Sequence, residues 1–365
     1  MATVCDLDRE QLAQILHGQP RYRVDQVWSG LYEHLTFPSD LSVLPKALRA
    51  TLDGQAPTAL REVETSSDTT GDTVKFLWEL HDGARIETVL MCYPDRATVC
   101  VSSQAGCAMG CGFCATGQDG FQRHLTTGEI VEQVVRASRH ARDSGRRVSN
   151  IVFMGMGEPM ANEERVWSSI ERMHGDIGLS ARHLTVSTVG IIPGILRLAE
   201  RPLPVNLAVS LHAANDALRD ELVPINKRYP LDPLMDACAV YLEARNRRLS
   251  FEWALIDSVN DRRSDAAELA ERCRSLRLPA HVNLIPLNPT PGWPTVGSPA
   301  IKVREFRDRL ETLGVNATVR RNRGTDIDAA CGQLAARLRD KSTPVDTSLS
   351  GPTGGSVPIS DPSRR

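Results

Sequence analysis

The chain has 365 residues, with 43 lysines and arginines against 45 aspartates and glutamates, which gives a net charge of -2. A charge so close to zero excludes recruitment of nucleic acid by a global positive field, so any such binding must use local basic patches. No apolar run reaches the roughly 20 residues that a bilayer-spanning helix needs, and no secretory signal opens the sequence. We therefore expect a soluble, cytoplasmic protein whose nine cysteines are reduced thiols.

The first predicted elements are helices. Apolar residues recur at helical spacing over 7–16, just before Gly18, and again over 24–35. A glycine directly after an amphipathic stretch is a common helix terminator, because it adopts the left-handed backbone conformation without penalty. These patterns predict a small helical domain at the N-terminus, over residues 1–70.

A β-hairpin is predicted next. From Val74 the apolar residues recur at every second position, which is the period of a strand with one buried face. The pair Asp82-Gly83 then separates this run from a second alternating run, and that arrangement is typical of a two-stranded hairpin. We expect residues 71–95 to form a hairpin that connects the helical domain to the rest of the chain.

The region 96–340 alternates strand-like and helix-like patterns. One helix opens with Thr126 and Glu129 at capping-box spacing. About six β-α units in a row argue for parallel strands, in a barrel-like or a doubly wound sheet. A further strand over 315–319 leads to Cys331 and a last helix. The predicted strands lie at 99–101, 150–154, Leu184–Thr188, 205–210, 251–256 and 281–287, and the main predicted helices lie at 126–139 and 261–276.

The end of the chain differs in composition from everything before it. Residues 341–365 are dominated by serine, proline, glycine and threonine, and they contain no aromatic residue. Such a segment has too little apolar surface to offset the entropy of ordering, so it is predicted to be a disordered tail.

Three cysteines follow the first predicted strand of this region. Cys107, Cys111 and Cys114 are spaced C-x3-C-x2-C in a glycine-rich loop, so their thiols can converge on one inorganic centre. Three protein ligands on an iron-sulfur cubane would leave one iron open to a small molecule, whereas an electron-carrying cluster takes four. The alternative is a structural zinc site in which Cys100 or His124 is the fourth ligand.

Polar groups also occur where other predicted strands end. In parallel α/β folds the loops at the carboxyl ends of the strands form the functional site. Small polar side chains and free backbone groups there could bind a polar ligand beside the cysteine loop. The residues at these ends are Gly157, Glu158, Ser187, Ser210, His212 and Asn288.

The positive charges available for binding an acidic partner are local. Three arginine clusters stand out in the sequence, and the first two could instead be solvated basic faces. Contacts of arginine with phosphate would position a nucleic acid without selecting its sequence. The cluster just before Cys331 is the best candidate. The clusters are Arg136, Arg139, Arg142, Arg146 and Arg147; Arg245, Arg247 and Arg248; and Arg320, Arg321 and Arg323.

Together these motifs resemble a known family. The cysteine loop, with Phe113 just before its third cysteine, resembles the radical S-adenosylmethionine (SAM) signature, and Gly157-Glu158-Pro159 is similar to the motif that binds the methionine end of SAM. The runs 96–104 and 326–334 are similar to segments of the RlmN/Cfr family of RNA adenine methyltransferases. The resemblance extends in order over residues 10–338.

The resemblance implies a fold, cofactors and partners. It implies an α/β fold, a partial (β/α)6 barrel with the small N-terminal helical domain as an accessory RNA-holding element. Cys107, Cys111 and Cys114 would hold a [4Fe-4S] cluster, and the polar residues at the strand ends would bind SAM, two molecules of which are used per turnover. The substrates would be 23S rRNA and tRNA, methylated at carbon 2 of adenine, and the electron donor a flavodoxin or a ferredoxin. Methylation at carbon 8, as in the Cfr branch, is the closest alternative.

The resemblance also implies roles for three catalytic residues. Cys331 would be methylated and would carry the carbon that becomes a radical and adds to the base. Cys100 would then release the RNA by forming a disulfide with Cys331, and Glu87 would accept a proton.

The residues taken alone leave other roles open. Cys331 is predicted to open a helix, where the helix dipole favours a thiolate, although free cysteines are usually buried core residues. Cys100 lies in an apolar strand, and Glu87 could face solvent. A zinc module or an iron-sulfur electron carrier without enzymatic activity is the alternative from another class. The remaining cysteines, which match no motif, are expected to be structural: Cys5, Cys92, Cys238 and Cys273.

Overall fold

The computed structural model describes residues 2–245, 248–276, 278–290, 293–320 and 323–336. Arg247, Arg321 and the predicted tail over 341–365 lie outside the described residues. The α-helices are α1 Arg9–Ile15, α2 Tyr22–Tyr32, α3 Lys46–Gln55, α4 Ala115–Gln118, α5 Thr127–Asp143, α6 Glu163–Gly175, α7 Ile192–Glu200, α8 Asp216–Leu222, α9 Leu231–Arg245, α10 Arg263–Ser275 and α11 Ala300–Thr312.

The strands form a large sheet and a small hairpin sheet. The large sheet has the order β1-β2-β3-β4-β7-β8-β9-β10-β11-β12, and β5 pairs with β6. The strands are β1 Arg61–Ser67, β2 Thr73–Glu79, β3 Arg85–Cys92, β4 Ala97–Cys100, β5 Gln104–Gly106, β6 Phe121–His124, β7 Val148–Phe153, β8 Leu184–Thr188, β9 Asn206–Ser210, β10 Leu249–Leu255, β11 His281–Pro286 and β12 Asn316–Val319.

The N-terminal helices have a core of their own. The Asp8 carboxylate accepts the backbone N–H of Gln11 at 2.7 Å, which caps α1. Leu12, Leu31 and Leu52 are buried among the three helices, and this cluster continues onto α5 through Val131. The helical unit is therefore packed directly against the main body of the molecule.

The predicted boundary of the helical domain at residue 70 differs from the structure. α3 ends at Gln55, and residues Arg61–Ser67 form β1, which pairs antiparallel with β2. The pattern gave no signal for this strand because it is a polar edge strand whose side chains are mostly exposed. The helices thus occupy only the first part of the 1–70 segment.

The predicted hairpin is present and extends the sheet. β2 and β3 pair antiparallel with Trp78 opposite Ile86, as the Asp82-Gly83 turn signal predicted. β3 then pairs antiparallel with β4, so residues 71–95 are an integral part of the large sheet rather than a separate connector. The hairpin brings Glu87 of β3 into the interior of the molecule.

From β4 onward the strands are parallel and alternate with helices. β4, β7, β8, β9, β10, β11 and β12 pair parallel in this order, as the predicted β-α units required. Thr126 and Glu129 form the predicted capping box at the start of α5, with bonds of 3.1 Å and 2.8 Å. The order runs from β1 to β12 without closure, which is the topology of a partial barrel. Within the described residues, no helix is both long enough and apolar enough to cross a membrane.

The hairpin sheet supports the cysteine loop. β5 and β6 flank residues 107–120, and Gly106 has a φ of +73°. A Cβ at Gly106 would collide with the carbonyl oxygen of Gly120, so only glycine permits this approach of the two strands. The loop is therefore fixed at both of its ends.

Candidate functional site

One cavity collects the residues that the sequence placed at strand ends. It lies at the carboxyl ends of the parallel strands, beside the cysteine loop, as parallel α/β folds predict. Its lining includes Cys107, Cys111, Cys114, Gly157, Glu158, Ser187, Ser210, His212, Asn288 and Cys331. The three cysteines, the six predicted SAM-binding residues and one of the three predicted catalytic residues thus share a single site.

The three loop cysteines form a donor set that would ionise together only beside a cationic group. Burial, together with the neighbouring Cys114 and Glu158, raises the pKa of Cys107 to about 12. Burial and the repulsion of the other two thiolates raise the pKa of Cys111 further, and burial raises that of Cys114. Three thiolates would repel one another here unless a cationic group compensates them, and the iron of a cluster provides such charge. The site therefore fits a cluster with three cysteine ligands.

Neither predicted fourth ligand of a zinc site lines this cavity. His124 lies on β6, and its ring nitrogen Nδ1 is 3.0 Å from Nε2 of Gln104. Cys100, on β4, lines an adjoining cavity instead. Among the described residues, no three acidic, cysteine or histidine side chains converge closely enough for a single metal ion. In a cubane each cysteine binds a different iron, so three cysteines can hold a cluster without converging on one point.

Glu158 is buried and held by two backbone amides. Its carboxylate accepts the N–H of Val189 at 2.8 Å and that of Met160 at 2.9 Å. Burial raises the pKa of Glu158 to about 7, and these two hydrogen bonds oppose the rise. Gly157, with a φ of +99°, passes so close to the Gln104 side chain that a Cβ would collide with it. The carboxylate is therefore fixed at the cavity wall, where it can bind a cationic group.

His212 is held as a neutral imidazole. Its Nδ1 accepts the N–H of Ala254 at 2.9 Å, and its ring meets Phe113 edge to face at 4.9 Å between ring centroids. Burial, and secondarily the charge of Arg219, lower the pKa of His212 to about 3. A neutral ring at this position can pack against or hydrogen-bond a ligand, but it cannot supply a positive charge.

Asn288 connects the cavity to the segment that contains Cys331. Its Nδ2 donates to the Cys331 carbonyl oxygen at 3.0 Å. Its Oδ1 is buried and has no hydrogen-bond partner in the described part of the protein. A buried acceptor of this kind is costly unless a ligand satisfies it, so Asn288 offers one free acceptor to a bound molecule.

Cys331 lies in a turn, and the predicted helix after it is absent from the described residues. Gly332 and Ala336 both have positive φ values, of +86° and +54°, which interrupt a helical repeat. The predicted activation of the thiol by a helix N-terminus is therefore wrong. The segment is instead bound to the cysteine loop, because Ala115 N–H donates to the Gly332 carbonyl at 2.8 Å and the Thr116 hydroxyl to that of Leu334 at 2.6 Å.

A second, smaller cavity adjoins the first, and Cys331 lines both. The second cavity also contains Cys100, and its other walls are largely apolar. Burial, and secondarily the charge on Cys331, raise the pKa of Cys100 to about 12. The lining residues shared by the two cavities are Met154, Arg320 and Cys331. The two predicted catalytic thiols therefore share the second cavity, and of the two only Cys331 also lines the first.

The structure adds Glu252 to the site, which sequence reasoning missed. Its carboxylate accepts the Ser250 hydroxyl at 2.9 Å and the Asn283 amide at 2.7 Å, and it lines the first cavity. Burial raises the pKa of Glu252, and the charge of Arg320 opposes this. The sequence contained a signal, because Ser250, Glu252 and Ala254 alternate with large apolar residues along β10 and so share one face.

Glu87 occupies a different place from the other predicted catalytic residues. It is 1 % exposed, so the alternative that it faces solvent is wrong. Its Oε1 lies 3.1 Å from Nζ of Lys75, and its Oε2 accepts the N–H of Ala335 at 3.0 Å. Burial raises the pKa of Glu87, and Lys75 opposes the rise. Among the described residues that line the two cavities, Glu87 is absent.

Three arginines of the first cluster, all on α5, make structural contacts, and the described arginines of the second cluster, Arg245 and Arg248, line neither cavity. Arg136 pairs with the buried Glu132 at 2.8 Å and donates to the Leu60 carbonyl, so it is a structural residue. Arg139 and Arg142 bind the N-terminal helical unit at Asp40 and at the His34 carbonyl. These contacts, rather than RNA, account for the positions of the three side chains.

The third cluster lies at the second cavity. Arg320 is buried there, and the charge on Cys331 raises its pKa. Arg323 also lines the cavity, donates to the Cys92 carbonyl at 2.8 Å and lies 4.3 Å from the centre of the Tyr93 ring. Arg146, from the first cluster, donates to the Tyr93 carbonyl at 2.7 Å. Positive charge is therefore concentrated at this cavity, as the sequence suggested.

Comparisons with known proteins agree with this site. The family model described as "Radical SAM superfamily" matches residues 101–271 of this chain. A relative from Chloroflexus aurantiacus, named as a probable dual-specificity RNA methyltransferase RlmN, is 48% identical over 356 residues, with 94% of each chain covered. The dual-specificity RNA methyltransferase RlmN 1 of Myxococcus xanthus is 48% identical over 347 residues, with 93% of this chain and 96% of the relative covered.

A solved structure is similar over nearly the whole fold. A radical SAM methyltransferase from Sphaerobacter thermophilus matches with a TM-score of 0.89 and 48% identity, and the match covers 92% of this chain and 100% of that one. The predicted fold class, a radical SAM partial barrel with a small N-terminal helical unit, is confirmed. The superfamily implies SAM and a [4Fe-4S] cluster as cofactors. The chain therefore belongs to the RlmN family of radical SAM RNA methyltransferases.

Proposed function

We propose that this enzyme methylates carbon 2 of adenine in 23S rRNA and in tRNA, through a methyl group carried on Cys331. One observation carries the proposal. Cys331 lines two cavities at once, one with the three loop cysteines and one with Cys100. A carbon attached to the Cys331 sulfur can therefore be acted on from the cofactor side and delivered to the other side.

The chemistry of the base explains why such a site is needed. Carbon 2 of adenine lies between two ring nitrogens and is electron-poor, so it does not attack a methyl donor as an ordinary nucleophile would. A carbon radical can add to it instead. When bound, the cluster and SAM supply the electron and the hydrogen-abstracting species from which radical SAM enzymes start. Two SAM molecules are used per turnover in this proposal, one of them as the methyl source.

The chain's own residues prepare the first cavity for this chemistry. Cys107, Cys111 and Cys114 hold the cluster and leave one iron without a protein ligand. Glu158 binds the ammonium group of SAM, because its buried carboxylate gains most from a cationic partner. Asn288 contributes its unpaired Oδ1 as an acceptor, while its Nδ2 holds the backbone of Cys331. Ser187, Ser210 and His212 line the same cavity and complete the SAM site.

The second cavity accepts the base. Its apolar wall, formed by residues such as Val89, Met91 and Leu334, suits the faces of an adenine ring. Tyr93 and Arg323 lie at the same cavity and suit the adjacent sugar-phosphate backbone. A base that enters a site beside a buried thiol must leave its stack, so we expect a flipped or loop nucleotide as the substrate.

Release of the product uses the two thiols. After the carbon on Cys331 has added to the base, the RNA is tied covalently to the enzyme. The adduct returns one electron to the redox system that supplied it and loses the proton of carbon 2. The Cys100 thiolate then attacks the Cys331 sulfur, and an S–S bond forms as the S–C bond breaks. The electron pair of the S–C bond leaves with the carbon, which takes up a proton and becomes the methyl group, and an external reductant restores both thiols. The charge of Arg320, at the boundary between the cavities, opposes the rise that burial causes in the pKa of Cys100 and so favours the thiolate that attacks.

Incubation of the anaerobic holoenzyme with methyl-labelled SAM, a reductant and RNA tests the proposal. Nuclease digestion and mass spectrometry against 2-methyladenosine and 8-methyladenosine standards identify the product. Label in 2-methyladenosine supports the proposal, and label in 8-methyladenosine assigns the Cfr-type reaction instead. Iron and sulfide assays on the same sample separate the enzyme from the zinc alternative. The electron donor in this proposal is a flavodoxin or a ferredoxin, and the enzyme acts in the cytoplasm.

A further inference from the structure

A buried ion pair lies on the hairpin, outside both cavities. Lys75 on β2 and Glu87 on β3 are diagonal neighbours, because Leu77 is the residue directly opposite Glu87. The Lys75 Nζ lies 3.1 Å from the Glu87 Oε1, and the two side chains are only 12% and 2% exposed. Withdrawing two charges from water is expensive, so a pair of this kind needs further partners to be tolerated.

The further partners are the two ends of the segment that contains Cys331. Lys75 donates from Nζ to the carbonyl oxygen of Asp328 at 3.3 Å. Glu87 accepts at Oε2 from the N–H of Ala335 at 3.0 Å. The pair therefore binds the backbone three residues before the reactive cysteine and four residues after it.

The backbone at both ends is in an uncommon conformation. Asp328 has a φ of +53° and Ala336 a φ of +54°, in the left-handed region that side chains other than glycine rarely adopt. Such conformations persist only where the surroundings impose them. The hydrogen bonds from Lys75 and Glu87 act at or next to these two residues.

The Cys331 segment is hydrogen-bonded from two sides, the cofactor side and the hairpin side. Ala115, Thr116 and Asn288 bind the middle of the segment from the cysteine loop and the SAM cavity. Lys75 and Glu87 bind its ends from the hairpin. Removal of the hairpin contacts would leave the stretch 328–335 held mainly from the cofactor side, while Thr69, in the turn before β2, would still donate its N–H to the Asp326 carboxylate at 3.1 Å.

We propose that Lys75 and Glu87 form a clamp that positions the Cys331 segment between the two cavities. Lys75 and Glu87 are then positioning residues, and Glu87 acts through the Ala335 backbone rather than on the base. Among the described residues that line the two cavities Glu87 is absent, and its carboxylate oxygens bind Lys75 and the Ala335 backbone. The proposal rests on the carrier role of Cys331 proposed above, because a displaced carrier cannot serve both cavities.

Methylation of Cys331 in the absence of RNA shows whether Glu87 positions the Cys331 segment or accepts a proton from the base. No proton leaves a base in that half-reaction, so a residue that acts only on the base does not affect it. The holoenzyme is incubated with labelled SAM, and the Cys331 peptide is analysed by mass spectrometry. We expect Lys75→Met and Glu87→Ala each to slow this labelling roughly 100-fold, since a misplacement of about 1 Å has an effect of this size. Lys75→Arg and Glu87→Gln, which keep a donor and an acceptor, should retain most of it.

Hydrogen exchange provides a readout that does not depend on activity. Amides in the peptide covering 328–336 should exchange faster in Lys75→Met and Glu87→Ala, while those in α5 remain protected. Lys302→Met is the matched control, because Lys302 also loses an ion pair, with Asp257 at 2.7 Å, but lies away from the segment. If Lys75→Met fails to fold because it leaves the Glu87 carboxylate buried without a cation, the double variant Lys75→Met/Glu87→Gln, which leaves no buried charge at this pair, replaces it.

The outcomes distinguish the clamp from the proposed function. Unchanged exchange at 328–336 together with unchanged Cys331 labelling in Lys75→Met and Glu87→Ala would overturn the clamp. A block confined to the RNA step in the Glu87 variants would assign the proton-acceptor role instead. If the wild-type protein does not label Cys331 at all, the carrier role fails, and the exchange data alone still decide whether the pair holds the segment.

Discussion

The cofactor cavity and the Cys331 segment are built in different ways. The cavity residues stand at the ends of successive parallel strands, so the topology of the sheet alone places Glu158, Ser187 and Ser210 side by side. The segment around Cys331 has only a short 3-10 helix, Thr325–Ile327, and depends on hydrogen bonds to parts of the chain far away in sequence. A sheet thus forms the proposed cofactor site, and separate hydrogen bonds hold the cysteine that is proposed to meet both cofactor and substrate.

The largest expected effect on activity comes from a change in the Cys331 segment. Cys331→Ala should abolish methyl transfer to RNA, because Cys331 is the only cysteine among the described residues that lines both cavities. The cluster should be retained, since Cys331 is not among its three proposed ligands. Iron content, the visible absorption of the cluster and nucleoside analysis measure the two halves of this prediction. Methylated RNA from the variant would show that the carbon travels by another route.

Removal of Cys100 should have the next largest effect on methylation, and it should stop the reaction at a different step. In Cys100→Ala the carbon still adds to the base, but no thiol is left to break the bond between Cys331 and the RNA. A covalent protein–RNA adduct should therefore accumulate, which a denaturing gel detects as a slowly migrating species. Cys273→Ala, which removes a buried cysteine of the core, is the matched control. Absence of the adduct would contradict the resolving role.

The cofactor side is tested by Glu158→Gln. A hydrogen bond to a charged group contributes about 1.5–3 kcal/mol, so we expect SAM affinity to fall roughly 10- to 150-fold. The wild-type affinity should also depend on pH. The pKa of Glu158 is raised by burial to about 7, so below this pH a proton must leave before the ammonium group binds. Affinity should fall about tenfold per unit below pH 7.

Equilibrium dialysis of labelled SAM with the anaerobic holoenzyme measures both effects. Glu158→Gln has no carboxylate to titrate, so its weaker affinity should be flat over the same pH range. A wild-type affinity that is independent of pH, or a variant that keeps the wild-type pH dependence, would remove Glu158 from the SAM site.

The smallest expected effect concerns RNA. Arg323→Gln should weaken RNA binding only a few-fold at moderate salt and should reduce the slope of log affinity against log salt by about 0.7–0.9, the loss of one phosphate contact. Arg307→Gln is the control, since Arg307 pairs with its neighbour Asp308 on α11. Filter binding over a salt series measures both variants. An unchanged slope for Arg323→Gln would show that Arg323 only supports Tyr93.

The contrast between the strand-end cavity and the Cys331 segment also explains which features the sequence could predict. The cysteine spacing, the strand ends and the capping box at Thr126 are local patterns, and the residues they named lie together as expected. β1 was missed because an edge strand exposed to solvent needs no apolar alternation. The contacts of Lys75 and Glu87 with the Cys331 segment could not be predicted, because they join these side chains to backbone atoms more than 200 residues away along the chain, and no local pattern encodes them.

A methyl chase tests the central claim most directly. The holoenzyme first receives SAM with carbon-13 in its methyl group and no RNA, and mass spectrometry verifies the label on Cys331. Free SAM is then removed, and unlabelled SAM, reductant and RNA are added. We expect the first-turnover 2-methyladenosine to contain carbon-13, because its new carbon comes from Cys331. Carbon-12 alone in that product would contradict the account.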